Sequence, residues 1–163
     1  MKQNTIMKRL KELGIELPEV NKTSGSYVPA VKDGKVLYLA GQVTRVFGQV
    51  KYAGKLGKDA TIEEAYQGAR ICGINLLAVM QAMGGGLDNV ERILKVNGYI
   101  NAAPGFQDTP KVLDGASDLF LEVFGESGKH ARSAIGVEAL PGNSMVEVEM
   151  IVRLKEDIDA ECI

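Results

Sequence analysis

Apolar residues recur at three- and four-residue steps in three stretches of the chain, which places them on one face of an α-helix. This spacing predicts a short N-terminal helix over residues 1–14, a long helix over about residues 61–83 and a third helix over residues 111–124. The long helix also has a start signal, because Thr61 and Glu64 have the spacing of a capping box. A glycine follows the last apolar residue of each stretch, as is common where helices end.

Elsewhere apolar residues alternate with polar ones or form short runs, which is typical of β-strands. Residues 27–31 and 36–40 predict a hairpin that turns at Asp33-Gly34, since this dipeptide tolerates the positive φ angles of a tight turn. Residues 93–100 predict a further strand.

The C-terminal third predicts two strands joined by a turn at residues 140–143. In the second strand alternate residues are apolar, and the other face carries Glu147, Glu149 and Arg153. The stretch between residues 41 and 57, by contrast, predicts no regular structure. The resulting order is β-β-α-β-α-β-β after the leading helix, an α+β fold with two helices packed on one face of a sheet. The other face mixes apolar and charged side chains, which indicates a subunit interface.

The length of 163 residues predicts a single domain over residues 1–163, with a core at about residues 24–154 and a tail over residues 155–163. Lys and Arg number 19 and Asp and Glu 21, and this balance is unlike the basic surface of a nucleic-acid-binding protein. The N-terminus lacks an apolar signal segment, and no apolar run is long enough to span a membrane. We therefore expect a cytoplasmic protein with no membrane or nucleic-acid partner.

Few residues have the pattern of a metal or nucleophilic site. The two cysteines are far apart, and neither they nor the carboxylates have metal-ligand spacing, so we expect no metal. Glycines 84–86 end a helix and precede no Lys-Ser/Thr, which favours helix capping or a flexible turn over a phosphate-binding loop. His130 is the single histidine, and its nearness in sequence to Ser133 and Asp118 does not establish a catalytic triad.

One pair of charged residues remains as a candidate site. Arg132 opens a predicted strand, and Glu147 lies on the next predicted strand, across the turn at residues 140–143. We expect these strands to be adjacent and antiparallel, which would bring both side chains to one pocket. A cross-strand Arg-Glu pair is more often a surface ion pair that contributes little, so the residue types alone leave both interpretations open.

Two segments resemble the signatures of the YjgF/RidA family. HARSAIGVEALPGNSMVEVEM (residues 130–150) is similar to its C-terminal signature, and GSYVPAVKDGKVLYLAGQV (residues 25–43) to its N-terminal one. With the helices between them, the resemblance covers roughly residues 24–154, and the longer members of the family are the most similar. It implies a homotrimer with a chorismate-mutase-like fold, built on a mixed sheet, with a small-molecule carboxylate bound at each subunit boundary.

In the deaminase members of this family the pocket hydrolyses reactive enamines and imines formed from amino acids, which gives a keto acid and ammonia without any cofactor. The resemblance implies that Arg132 and Glu147 are catalytic. Arg132 would bind the substrate carboxylate through two hydrogen bonds, and Glu147 would position or deprotonate the attacking water or transfer a proton to or from the leaving nitrogen. It implies the following substrate-binding residues: Tyr27, Gly41, Asp114, Arg132 and Ala134.

The chain departs from the deaminase pattern at three positions. Ala40 and Ala134 stand where deaminase members usually carry serine and cysteine, and Asp114 stands where asparagine is common. The alternative function is therefore a non-catalytic protein that binds a small carboxylate metabolite, and another is a trimeric scaffold in which Arg132 and Glu147 merely pair. Ribonuclease activity or translation inhibition, which the family name has carried, is disfavoured by the near-neutral charge.

Overall fold

The computed structural model describes residues 5–21, 23 and 25–158. Within this part of the chain the helices are α1 (Thr5–Glu12), α2 (Ile62–Met83) and α3 (Thr109–Phe124). The strands are β1 (Ala30–Asp33), β2 (Val36–Val43), β3 (Arg45–Val46), β4 (Gln49–Val50), β5 (Val90–Asn101), β6 (Ala131–Val137) and β7 (Val146–Leu154). The first four residues of the predicted N-terminal helix and the last five of the predicted tail lie outside the described residues.

Five of the strands form one mixed sheet in the order β1-β2-β7-β5-β6, and β3 and β4 form a small separate hairpin. Strands β5 and β6 run parallel, while the other neighbours in the sheet are antiparallel. Helices α2 and α3 pack against one face, where alternate residues of β7 such as Val146 and Val148 are fully buried. The predicted α+β fold, with two helices on one face of a mixed sheet, is thereby confirmed.

Helix α2 begins where side chains satisfy the backbone, whereas the start of α3 has no side-chain cap and is marked by a proline. The Thr61 hydroxyl accepts a hydrogen bond from the Glu64 amide (3.2 Å), and the Glu64 carboxylate accepts one from the Thr61 amide (2.9 Å), which confirms the capping box. Helix α3 begins two residues earlier than predicted, at Thr109. Pro110 fits there because the first turn of a helix makes no use of the amide hydrogen that proline lacks.

The first hairpin is shifted toward the C-terminus relative to the prediction. β1 begins three residues late because Pro29 has no amide hydrogen to donate to the ladder. The turn is formed by Gly34 and Lys35, not by Asp33-Gly34, and Asp33 is the last residue of β1. Gly34 supplies the positive φ angle, +54°, that the turn requires.

The prediction of no regular structure between residues 41 and 57 is wrong in its first part, since β2 continues to Val43 and the β3–β4 hairpin follows. The segment is anchored by Thr44, which is fully buried. Its amide donates to Ser144 Oγ (3.1 Å) and its hydroxyl donates to the Tyr52 carbonyl (2.8 Å). Because this anchor consists of buried polar groups, the pattern of apolar residues does not predict it.

The strands that carry Arg132 and Glu147 are not neighbours, so the prediction that they pair across a turn is wrong. β5 lies between β6 and β7 and pairs with both. The reason is topological: α3 carries the chain from the end of β5 back to its beginning, so β6 runs parallel to β5 at the sheet edge. β7 then enters the sheet between β5 and β2.

Candidate functional site

Three of the predicted site residues line one small cavity beside the end of β2 and the start of β7. Tyr27, Gly41 and Glu147 border it, together with Arg45 and Pro141, and its volume is about 100 Å³. Tyr27 lies in the irregular segment before β1 and is 52% exposed, so its ring forms an open wall of the cavity. We call Tyr27, Gly41 and Glu147 the glutamate half-site.

Gly41 makes room for the Glu147 carboxylate. β2 has a bulge between Leu39 and Gln42, and Gly41 lies in that bulge. A Cβ atom added to Gly41 would lie 2.2 Å from Glu147 Oε1, which is closer than any real contact. Glycine leaves the carboxylate in this position, whereas a larger residue would force the end of the flexible Glu147 side chain to move. The reason is space and not an unusual backbone angle, since the φ of Gly41 is not positive.

The environment of Glu147 favours its protonated form. Burial raises the pKa of the Glu147 carboxyl above its ordinary value, and the charge of Glu149 raises it further. A carboxyl with a raised pKa exchanges its proton closer to neutral pH than an exposed glutamate does. Such a group is suited to general acid-base chemistry.

Sequence reasoning did not identify the neighbours of Glu147 on the open face of the sheet. Glu149 accepts hydrogen bonds from the Tyr99 hydroxyl (2.8 Å) and the Asn97 amide (3.1 Å) of β5. The hydrogen bond to Glu149 and, to a smaller extent, burial raise the pKa of Tyr99 to about 12. Side chains alternate between the two faces along β7, so the sequence predicts that Glu149 shares a face with Glu147. The β5–β7 register that brings Tyr99 beside them could not be predicted from the sequence.

The other predicted site residues lie at the edge of the sheet where β6 faces α3. Arg132 Nη1 donates to Asp114 Oδ1 (2.8 Å) and Ser117 Oγ (3.0 Å), and Nη2 donates to the Pro110 carbonyl at 3.4 Å. Ala134 is two residues further along β6 and so shares the face of Arg132. Within the described residues, Arg132 Nε has no partner, which leaves one edge of the guanidinium able to receive a carboxylate. We call Asp114, Arg132 and Ala134 the arginine half-site.

His130, for which no catalytic role was predicted, helps to position Arg132. Its Nδ1 lies 2.6 Å from the Gly128 carbonyl, which can only accept, so Nδ1 carries the ring proton. Nε2 then accepts from the Ser117 hydroxyl (2.9 Å), whose oxygen accepts from Arg132. Burial lowers the pKa of His130 and the Arg132 cation lowers it further, whereas the bond to Gly128 opposes this shift. A neutral ring keeps the three hydrogen bonds consistent.

Within one subunit the two half-sites do not meet. The backbones of β6 and β7 are two strand spacings apart, about 10 Å. Arg132 also points to the helix-covered face, where it contacts α3, whereas Glu147 lies between the buried Val146 and Val148 and points to the open face. A single chain therefore presents two half-sites on opposite faces of its sheet.

The described residues contain no group of three or more His, Cys, Asp or Glu side chains that could hold a metal ion. Cys72 is buried, and burial raises the pKa of its thiol well above the ordinary value, so it is not a reactive thiolate. In the same part of the chain, no helix combines the length and apolar character needed to cross a membrane.

The sequence and fold match a known family. The model of the YjgF/chorismate mutase-like family, described as putative endoribonucleases, matches residues 7–154. The chain belongs to the YjgF family. Its relatives include Protein TCP17 of Trypanosoma cruzi, which is 40% identical over 146 residues, covering 89% of this chain and 91% of that protein. A 2-iminobutanoate/2-iminopropanoate deaminase of Dermatophagoides farinae is 32% identical over 138 residues, covering 85% of this chain and 93% of that protein.

A solved structure of this family confirms the chorismate-mutase-like YjgF fold. The crystal structure of a putative endoribonuclease from Shewanella oneidensis matches with a TM-score of 0.88 and 36% identity, covering 91% of this chain and 99% of that chain. Both half-sites lie inside the segment that the YjgF family model matches.

The contact between Gly41 and Glu147 can be tested by a double-mutant cycle. We expect Gly41→Ala to lower the free energy of unfolding by about 1–3 kcal/mol, because the new methyl group displaces the Glu147 carboxylate. In a Glu147→Ala background most of this loss should disappear. Chemical denaturation of the four proteins at one protein concentration measures the coupling.

Gly136→Ala is the matched control, because its added Cβ would meet only methyl groups at ordinary distances, Ala102 Cβ at 3.4 Å and Thr109 Cγ2 at 3.9 Å. Its effect should be small and the same with or without Glu147. Equal losses for Gly41→Ala in both backgrounds would show that Gly41 does not accommodate this carboxylate.

The neutral state of His130 predicts a pH dependence of stability. A histidine whose folded pKa is lowered stabilises the fold above its unfolded pKa, about 6.5, and this contribution is lost as the pH falls through the folded value. We therefore expect the free energy of unfolding of the wild type to fall more between pH 7 and pH 5 than that of His130→Gln, which cannot titrate. Parallel pH curves for the two proteins would contradict this account.

Proposed function

We propose that this YjgF protein hydrolyses reactive imines or enamines of amino acids, and that it does so at a site formed where two copies of the chain meet. The observation that carries the proposal is the division of the predicted residues into two half-sites, each with one part of the required chemistry. The arginine half-site offers a free guanidinium edge, and the glutamate half-site offers a carboxyl with a raised pKa beside a small cavity. The relative from Dermatophagoides farinae, named a 2-iminobutanoate/2-iminopropanoate deaminase, supports this reaction class.

The surfaces of the subunit favour such an assembly. The open face of the sheet carries the exposed apolar side chains Val31, Tyr38 and Ile135 beside the Glu149 network. A half-apolar sheet face is typical of subunit contacts, and a homotrimer places the arginine half-site of one copy against the cavity of the next. The cost of burying Glu147 in the single chain would be relieved by the cation of the adjoining copy.

The reaction needs little more than positioning and proton transfer. Arg132 Nε and Nη2 bind the substrate carboxylate and fix the imine carbon over the cavity. Glu147 takes a proton from a water that attacks this carbon and returns it to the nitrogen, which gives a carbinolamine. The carbinolamine hydroxyl then passes its proton through Glu147 to the nitrogen as the carbon–nitrogen bond breaks. One water is consumed, a carbonyl replaces the imine, and ammonia leaves, with no change of oxidation state.

Asp114 and Ala134 set limits on this site. Asp114 forms an ion pair with Arg132, so the substrate carboxylate shares the guanidinium with a second negative charge. Ala40 and Ala134 provide neither the hydroxyl nor the thiol found in deaminase members, so fewer groups orient the substrate. These features favour, as a second candidate, a protein that binds a small carboxylate at the same interface without converting it.

Ribonuclease activity is not proposed, although the family and its solved relative are described as putative endoribonucleases. The net charge of −2 does not provide the positive surface that RNA binding requires. The single histidine is already engaged, with Nδ1 on the Gly128 carbonyl and Nε2 on Ser117.

The role of the guanidinium is tested by Arg132→Lys. We expect kcat/KM for freshly generated 2-iminopropanoate to fall by roughly tenfold to a hundredfold, because lysine keeps the charge but cannot form the bidentate pair of hydrogen bonds to the carboxylate. Ammonia release above the uncatalysed rate measures it. Arg92→Lys, at an exposed position of β5, is the control and should leave the rate unchanged.

Full activity of Arg132→Lys would contradict bidentate binding of the carboxylate. If the wild type binds pyruvate with an Arg132-dependent affinity in calorimetry but accelerates no imine hydrolysis, the second candidate function is correct and the first is wrong.

A further inference from the structure

The glutamate half-site contains a second arginine that the proposed reaction does not use. Arg45 of β3 borders the same cavity as Tyr27, Gly41 and Glu147. It lies in the segment for which the sequence predicted no regular structure. It is therefore a cation placed beside the reacting groups, on the same subunit as the general base.

The backbone of Arg45 is held in place by buried polar contacts. Asn75 of α2, only 4% exposed, donates through its amide nitrogen to the Arg45 carbonyl (3.0 Å). The preceding residue, Thr44, is fully buried and bonded to Ser144. These contacts fix the backbone at the start of β3, and with it the position of the Arg45 Cα and Cβ atoms.

The guanidinium of Arg45, in contrast, has no partner in the described chain. Its Nε is buried and makes no hydrogen bond, and no carboxylate oxygen of the described residues lies within 4.0 Å of it. Glu147, although it lines the same cavity, does not pair with it. A buried cationic donor without an acceptor is costly, and a ligand anion at this position would satisfy it.

We propose that Arg45 binds the second carboxylate of a dicarboxylic substrate, so that the preferred substrates are imines of acidic amino acids with four or five carbons. This inference rests on the proposed function for the reaction, but not for the binding. The α-carboxylate lies on Arg132 of the adjoining copy, the imine nitrogen lies near Glu147, and the side-chain carboxylate reaches Arg45. A cavity of about 100 Å³ accommodates a carboxymethyl or carboxyethyl group.

Charge in the cavity is balanced by such a ligand. Glu147 faces the nitrogen, which is cationic when the imine is protonated, and Arg45 faces the distal carboxylate. The hydrolysis itself is unchanged: water adds, the carbon–nitrogen bond breaks, and ammonia and a dicarboxylic keto acid are released. A monocarboxylic imine leaves Arg45 unpaired, and the penalty for that unpaired group is the source of selectivity.

The test compares acidic and neutral ligands in wild type, Arg45→Met and the control Arg92→Met. Imines are generated by amino-acid oxidases from aspartate or alanine, and binding is measured by calorimetry with 2-oxoglutarate and 2-oxobutanoate. For the wild type we expect kcat/KM to be higher for the aspartate-derived imine. In Arg45→Met the ratio of acidic to neutral kcat/KM should fall roughly tenfold to a hundredfold, with a similar loss in the affinity ratio. Arg92→Met should retain the wild-type ratios.

The outcomes separate the two proposals. An unchanged ratio in Arg45→Met, or a wild type that prefers the neutral imine, overturns the Arg45 proposal and leaves imine hydrolysis intact. If no imine is hydrolysed but 2-oxoglutarate binds in an Arg45-dependent way, the dicarboxylate site stands and the catalytic proposal fails. If neither ligand binds and neither imine is hydrolysed, both are wrong.

Discussion

The alternation of side chains across the pleated sheet is the constraint on which the candidate site depends. Arg132 on β6 points toward α3, whereas Glu147 on β7 points to the open face, and β5 separates the two strands. No rotamer change brings these groups together within one chain, because the direction of each side chain is set by the register of the whole sheet. The chemistry inferred from their residue types therefore requires a second copy of the chain.

Each half-site is organised by local physics that a single subunit already provides. Gly41 in the bulge of β2 leaves space for the Glu147 carboxylate, and Glu149 keeps a negative charge nearby. On the other edge, Ser117 and His130 hold the Arg132 side chain. Assembly would then only need to bring two preformed surfaces into contact, which reduces the ordering required when a ligand binds.

The sequence predicted the helices and the order of the elements because those features depend on spacing within one segment. The capping box at Thr61 and the apolar repeat of α2 are local and were found within a residue of their true positions. The pairing of strands depends on the path of the chain between them, so the adjacency assumed for Arg132 and Glu147 was wrong. The β3–β4 hairpin was missed because its anchor, Thr44, is a buried polar residue in a segment that appears irregular. The candidate site residues were predicted from the resemblance to a family, and in the structure they lie in two separate groups.

The most direct test of a site shared between subunits is complementation between two inactive variants. Arg132→Ala and Glu147→Ala chains, carrying different tags, are co-expressed and the mixed assemblies are purified through both tags. Each parent should be inactive, but in any mixed trimer one of the three interfaces joins an intact Glu147 to an intact Arg132, so about one third of the wild-type activity should return. Mixed assemblies as inactive as their parents, while the wild type is active, would show that the two residues do not share a site across the interface.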